Sequence, residues 1–81
     1  MTVIVYSKPN CSLCEKAAVI IGRLRREFGY RTEYVDITTD PDLFSRYRNE
    51  IPVVTVDGRE IARGIVSMPA LREALRQSVE P

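Results

Sequence analysis

Two runs of strand-forming residues, Val3-Ile4-Val5-Tyr6 and Tyr34-Val35-Asp36-Ile37, bracket a stretch whose apolar residues recur at Leu13, Ala17, Ile20, Ile21, Leu24 and Phe28. That middle spacing is the stripe of an amphipathic helix, and the flanking runs have the β-branched and aromatic content of strands. A strand, a crossover helix and a second strand leave the chain few choices: the two strands run parallel and the crossover is right-handed. The first strand is expected at residues 2–6, the second from Arg31 to Ile37, and Gly29 stops the helix between them.

The second half of the chain completes the sheet. Asp40-Pro41 reads as a helix cap followed by proline at the first helical position, opening a short helix that carries Leu43, Phe44 and Tyr47 and closes at Asn49. Ile51-Pro52-Val53-Val54-Thr55-Val56 is the next strand, Asp57-Gly58 is a two-residue hairpin turn, and Arg59 to Arg63 returns antiparallel. Gly64 ends that strand. Ser67 caps a last helix with Pro69 in its opening turn and Leu71, Ala74, Leu75 and Val79 as its apolar stripe; the tail Glu80-Pro81 is expected to fray. The order βαβ, α, ββα predicts an α/β three-layer sandwich with helices on both faces of a mixed sheet. Its sites belong at the carboxyl ends of the parallel strands, where strand 1 delivers residues 11–14.

An 81-residue chain is expected to be one domain, spanning residues 1–81. Twelve Lys and Arg against eleven Asp and Glu give a net charge of +1, so no basic footprint for nucleic acid and no pull toward an acidic partner is present. Thr2-Val3-Ile4-Val5-Tyr6 lacks the pattern of a signal peptide, and no segment approaches membrane-spanning length. A cytosolic location is the expectation, and there a disulfide is transient rather than a structural cross-link.

The chemistry concentrates in Ser7-Lys8-Pro9-Asn10-Cys11-Ser12-Leu13-Cys14, which holds the only two cysteines of the chain. Three roles are open to them. A structural zinc wants four Cys or His ligands, and one chain with two thiols and no histidine cannot complete that set. A site shared by two chains, or an iron–sulfur cluster carried on Cys11 with an external thiol, remains an alternative. Inert, buried thiols are the second role. The third is a redox pair, which Cys-x-x-Cys beside a βαβ pattern favours, since Cys11 follows a polar loop and should meet solvent.

Ser12-x-x-Glu15 can form a capping box, with Asn10 as the alternative cap; either places Cys11 at the helix entrance and Cys14 in the first turn. Helix-entrance amides and a nearby cation, for which Lys8 is the candidate, favour a thiolate. Cys11 is therefore expected to ionise below the free-thiol value of about 8.5 and to attack a substrate disulfide, with Cys14 resolving the mixed disulfide. The absent histidine removes an imidazole base that such an exchange does not require. Ile51-Pro52 is either a simple strand opener or a cis peptide opposite the cysteines that turns the Ile51 backbone toward an extended substrate.

With Val3-Ile4-Val5-Tyr6-Ser7-Lys8-Pro9-Asn10-Cys11-Ser12-Leu13-Cys14, Ile51-Pro52-Val53-Val54, Asp57-Gly58 and Leu71-Arg72-Glu73-Ala74-Leu75 in view, the chain resembles the glutaredoxin-like branch of the thioredoxin superfamily over nearly its whole length. The resemblance implies a minimal thioredoxin fold with a four-stranded mixed sheet and three helices, Cys11 as nucleophile, Cys14 as resolving thiol and Pro52 as a cis-proline. Here Cys-Ser-Leu-Cys stands where conventional glutaredoxins have Cys-Pro-Tyr-Cys. Glu50-Ile51-Pro52 replaces their Thr-Val-Pro, and Arg63-Gly64-Ile65-Val66-Ser67 replaces a paired-glycine and aspartate stretch that holds glutathione.

Taken together these readings lead to a small, monomeric, cytosolic thiol–disulfide oxidoreductase serving electron transport and cell redox homeostasis. Its substrates would be protein disulfides or glutathionylated partners, and its donor glutathione or a thioredoxin-reductase-type flavoenzyme, with no bound cofactor and no resident metal. The dithiol Cys11 and Cys14 carries the reaction, while Lys8, Ile51, Pro52, Arg63 and Gly64 are the candidates for holding substrate, with donors at the Ser67 helix entrance for an anion.

Overall fold

The computed structural model describes residues 1–79; the expected fraying of Glu80 and Pro81 lies outside that range. In chain order the elements are β1 (Thr2–Ser7), α1 (Ser12–Phe28), β2 (Arg31–Asp36), α2 (Pro41–Tyr47), β3 (Val53–Val56), β4 (Arg59–Arg63) and α3 (Met68–Val79). The four strands form one sheet in the order β2-β1-β3-β4. β1 runs parallel to β2, with Thr2 opposite Arg31 and Ser7 opposite Asp36, and antiparallel to β3. The parallel β1–β2 pair and the mixed sheet are those of the βαβ reading, and the whole is the minimal thioredoxin fold that the resemblance implied.

Alternation along β1 and β3 assigns the two faces. Val3, Val5, Val54 and Val56 pack against Ala17, Ile21 and Leu24 of α1 and Leu71 and Leu75 of α3, with Tyr30 closing the same core. The Tyr30 hydroxyl donates to the Ile21 carbonyl, so its polar end is satisfied inside. The other face is covered thinly. There Tyr47 of α2 stacks on Tyr6 of β1, and α2 has no fully buried residue. Thr55, 5% exposed, satisfies its hydroxyl by donating to the Ile4 carbonyl at 3.1 Å.

Local chemistry sets the boundaries. Asp57 (φ 48°) and Gly58 (φ 88°) take the two left-handed conformations of the expected hairpin turn. Val54 pairs with Ala62 and Thr55 with Glu60, so Ile61 is an extra residue and β4 is bulged there. Asp40 caps α2 by accepting from the Asp42 and Leu43 N–H groups, with Pro41 at the first helical position. Gly29 ends α1 in the left-handed region at φ 72°, donating to the Arg25 carbonyl.

Several boundaries differ from the sequence expectation. β2 ends at Asp36 rather than Ile37, because the Asp36 carboxylate accepts from the Thr38 N–H at 2.9 Å and folds residues 37–39 into a tight turn that buries Ile37. α2 closes at Arg48 rather than Asn49, since Glu50 and Ile51 both donate back to the Tyr47 carbonyl. The β3 ladder begins at Val53, as Pro52 has no N–H to offer it. Leu13 is 37% exposed and Cys14 takes its place on the buried stripe, one helix position farther round. Val79 is likewise exposed.

Candidate functional site

The loop after β1 turns at Asn10, which adopts φ 58°, and delivers Cys11 to the start of α1. The cap of that helix is Cys11 itself, not Ser12 or Asn10 as the capping-box pattern suggested. Its backbone is extended (φ −117°, ψ 107°), its carbonyl accepts from the Glu15 N–H at 3.0 Å, and its Sγ accepts from the Cys14 N–H at 3.3 Å. The sulfur thus occupies the place that a serine or aspartate oxygen holds in an ordinary cap. The Cys14 N–H, which has no partner within the helix, finds its acceptor in that sulfur.

Cys14 sits differently. Both cysteines are free thiols, but Cys11 is half-buried while Cys14 is 7% exposed. Burial pushes the Cys14 thiol up to about 11, and its hydrogen bond with Cys11 pushes in the same direction. The Lys8 backbone N–H and the Lys8 ammonium pull the other way. Lys8 therefore acts on Cys14, the second thiol, a partner that the sequence reading did not give it.

Around the pair lies a second apolar cluster, separate from the main core. Cys14, Ile37 and Ile51 are its buried members, and Tyr6, Cys11, Leu43 and Tyr47 pack against them. Tyr6 and Tyr47 stack with ring centroids 4.8 Å apart and planes inclined by 29°. The Arg46 guanidinium lies over the Tyr47 ring at 5.7 Å, within cation–π range. The sequence offered Tyr6 only as a strand residue and Tyr47 only as part of a helix stripe. Nothing in their spacing reveals that a crossover of some forty residues brings them face to face.

The Ile51–Pro52 peptide is cis. The Ile51 side chain packs in the thiol cluster, while Pro52 is fully buried. Gly64, at φ 68°, donates its N–H to the Pro52 carbonyl at 2.8 Å and to the Glu50 carbonyl at 3.2 Å, tying the end of β4 to this turn. Arg63 is committed beside it: its guanidinium holds Glu60 at 2.6 Å and Glu50 at 2.9 Å. That is a pair of carboxylates already in place, so Arg63 fastens the turn rather than offering an open charge. Ser67 caps α3, its Oγ accepting from the Ala70 N–H at 3.3 Å.

Of the expected site residues, Cys11, Cys14 and Ile51 pack in one cluster, Pro52 follows Ile51 through the cis bond, Lys8 acts on Cys14, and Gly64 is tied to the Pro52 carbonyl while Arg63 pairs with Glu50 and Glu60. Among the described residues no three or more His, Cys, Asp or Glu side chains come together as a metal-binding group. Among them, too, no helix is long and apolar enough to cross a membrane.

Residues 2–79 match the model of a family described as the Glutaredoxin-like domain (DUF836). An uncharacterized protein of Mycobacterium tuberculosis is 27% identical over 79 residues, covering 91% of this chain and 81% of the relative. Among solved structures, a structural-genomics target protein from X. campestris superposes with a TM-score of 0.82 at 28% identity, covering 98% of this chain and 99% of that one. Thioredoxin 1 from Thermosipho africanus gives 0.70 at 18% identity, with 98% and 94% covered. A thioredoxin from Halobacterium salinarum gives 0.74 at 18% identity, with 99% and 75% covered; these two likenesses speak for the fold alone.

Proposed function

The chain belongs to the glutaredoxin-like domain family of the thioredoxin superfamily, and from that premise we propose that it is a small dithiol thiol–disulfide oxidoreductase. The observation that carries this reading is the placement of Cys11 Sγ as the acceptor at the start of α1, with Cys14 buried directly behind it.

The exchange runs in two steps. The Cys11 thiolate attacks one sulfur of a substrate disulfide; the substrate S–S bond breaks, a Cys11–substrate disulfide forms, and the departing thiolate takes a proton from solvent. Cys14 then loses its proton and attacks Cys11 Sγ. The mixed disulfide breaks, the second substrate thiolate leaves and is protonated, and the protein keeps a Cys11–Cys14 disulfide. Two electrons have passed from the dithiol to the substrate.

The environment of Cys14 times these steps. In the free dithiol, burial and Cys11 together hold Cys14 as a neutral thiol, so it does not compete as nucleophile. Once Cys11 is tied up in a mixed disulfide its sulfur carries no charge and its upward push on Cys14 ends, whereas the Lys8 N–H and ammonium stay. The resolving thiol becomes easier to ionise when its attack is due.

The substrates we assign are disulfides of proteins or glutathionylated partners, within a cytosolic role in redox homeostasis, and regeneration falls to glutathione or to a thioredoxin-reductase-type flavoenzyme. Cys11→Ser abolishes disulfide reduction and Cys14→Ser accumulates a substrate adduct visible by intact mass. Dithiol turnover surviving in Cys11→Ser overturns the assignment. Regeneration of the oxidised protein with each donor alone decides between the two donors.

A further inference from the structure

Cys14 is buried, yet not in the main core. Among the described residues the cluster that encloses it has two other buried members, Ile37 and Ile51, and neither belongs to the core beneath α1 and α3. The rest of its wall is half-buried: Cys11 itself, Tyr6 of β1, and Leu43 and Tyr47 of α2. Leu43 and Tyr47 stand four residues apart and share one face of their helix. That helix has seven residues and none fully buried; helices shorter than about 12 residues do not persist on propensity alone, so this face must hold it in place. Tyr47 fastens the wall twice. Its ring stacks on Tyr6 at 4.8 Å, with the Arg46 guanidinium 5.7 Å from its own centroid. Its carbonyl accepts from the Glu50 N–H at 2.8 Å and the Ile51 N–H at 3.1 Å, which fixes the chain that carries Ile51 into the cluster. No step of the exchange uses either tyrosine.

We infer that Tyr47, stacked on Tyr6, is a positioning residue for the second step of the exchange: the stacked pair keeps water from Cys14, so the resolving thiol stays neutral until Cys11 Sγ is bound to substrate. This rests on the oxidoreductase reading and deepens it. Burial is the largest cause that raises the Cys14 thiol, and the stacked pair closes the thinly covered side of that burial. The groups that titrate or carry charge about Cys14 are Cys11 and Lys8, with the phenols of Tyr6 and Tyr47 in the same cluster and Arg46 beside Tyr47. Of these, Cys11 alone changes charge in the first step, so the wall supplies the constant part of the restraint. After that step Cys14 gives its proton to solvent and attacks Cys11 Sγ; the Cys11–Cys14 disulfide forms, and the substrate sulfur leaves as a thiolate that takes a proton from solvent. An open wall lets water reach Cys14 early, and the two thiols then compete as nucleophiles.

The test uses the full chain, reduced and freed of reductant. Limiting iodoacetamide labels it across a series of pH values below 10, and peptide mass mapping reads Cys14 and Cys11 separately. In the wild type the Cys14 rate is expected to climb about tenfold per pH unit throughout, as a thiol does well below its ionisation. Tyr47→Ala is expected to bend that climb to a plateau within the series and to raise the ratio of Cys14 to Cys11 label at pH 8 about tenfold. Tyr47→Phe, which keeps the ring, holds the wild-type profile. Damage to packing elsewhere changes labelling rates without moving the bend. Neither tyrosine belongs to the main core, so the packing of α1 and α3 is untouched by these changes. Tyr6→Leu removes the stack from the β1 side, keeps an apolar side chain there and is expected to move the bend the same way; it decides the matter if Tyr47→Ala does not fold. An unmoved Cys14 profile in the folded variant, or a Tyr47→Phe profile that moves as far as that of Tyr47→Ala, overturns the inference, and single-turnover reduction of a peptide disulfide by the wild type then leaves the oxidoreductase reading standing. Failure of the wild type to reduce that disulfide overturns both.

Discussion

The backbone N–H of Cys14 donates to the sulfur of Cys11 at 3.3 Å, so the first cysteine of the pair caps the helix through the second. The two thiols are thereby made unequal by three residues of helix geometry. One stands at the positive pole, half in solvent; the other is inside the turn, among Ile37 and Ile51.

Alkylation should follow that inequality. With its thiol held near 11, about one Cys14 in a thousand is ionised at pH 8. Iodoacetamide added to the reduced protein at pH 8 is expected to label Cys11 first, read by peptide mass mapping; early label on Cys14 would contradict the assignment of roles. The same group bears on stability. A thiol raised from 9.0 to about 11 in the fold ionises first in the unfolded chain. Its contribution is full below about pH 9 and is lost as pH rises toward 11. On the order of 2 kcal/mol should disappear over that window, seen as a fall in urea midpoint that Cys14→Ala lacks.

Lys8→Met should slow the second step of the exchange more than the first. The ammonium lowers the Cys14 thiol, while the Lys8 backbone N–H, which does the same, survives the substitution. Because the charge is exposed, the loss is modest, about two- to fivefold in resolution of the mixed disulfide, and shrinks as salt is raised. Acid-quenched time courses separate the two steps. A variant that slows only the first would return Lys8 to Cys11.

Two glycine-to-alanine changes are expected to have opposite signs. An added Cβ meets nothing within 4 Å at either Gly22 or Gly64, so crowding decides neither. Gly64 sits at φ 68°, where a side chain costs about 1 kcal/mol. Gly22 is inside α1, where alanine gains roughly 0.5–1 kcal/mol by helix propensity. Urea denaturation of the reduced proteins checks both.

Much of the architecture was legible because it rests on short-range rules. Asp57-Gly58 can only turn one way between two β runs, Asp40-Pro41 caps in the manner its chemistry dictates, and the stripe through Ala17, Ile21 and Leu24 buries as its spacing requires. The misses fall where a side chain competes for a backbone group. Asp36 turned its carboxylate on Thr38 and ended β2 early, and Cys11 took the capping place that Ser12 was expected to hold. A sulfur is a weak acceptor, so propensity rules do not nominate it; only the path of the loop after β1 puts it there. The site's surroundings were the least legible part, because Tyr6 with Tyr47, and Arg63 with Glu50, are partners made by the fold and not by spacing.

The extra residue at Ile61 reaches beyond the site. β4 and β2 are the open edges of the sheet, each with a row of backbone groups that a neighbouring chain could extend. A strand laid along β4 would lose register at Ile61 and meet the side chains of Arg59, Glu60 and Arg63. On β2 it would meet Arg31 and Glu33. The irregularity and the charges together discourage end-to-end growth into fibrils, which lets so small a sheet keep both margins bare.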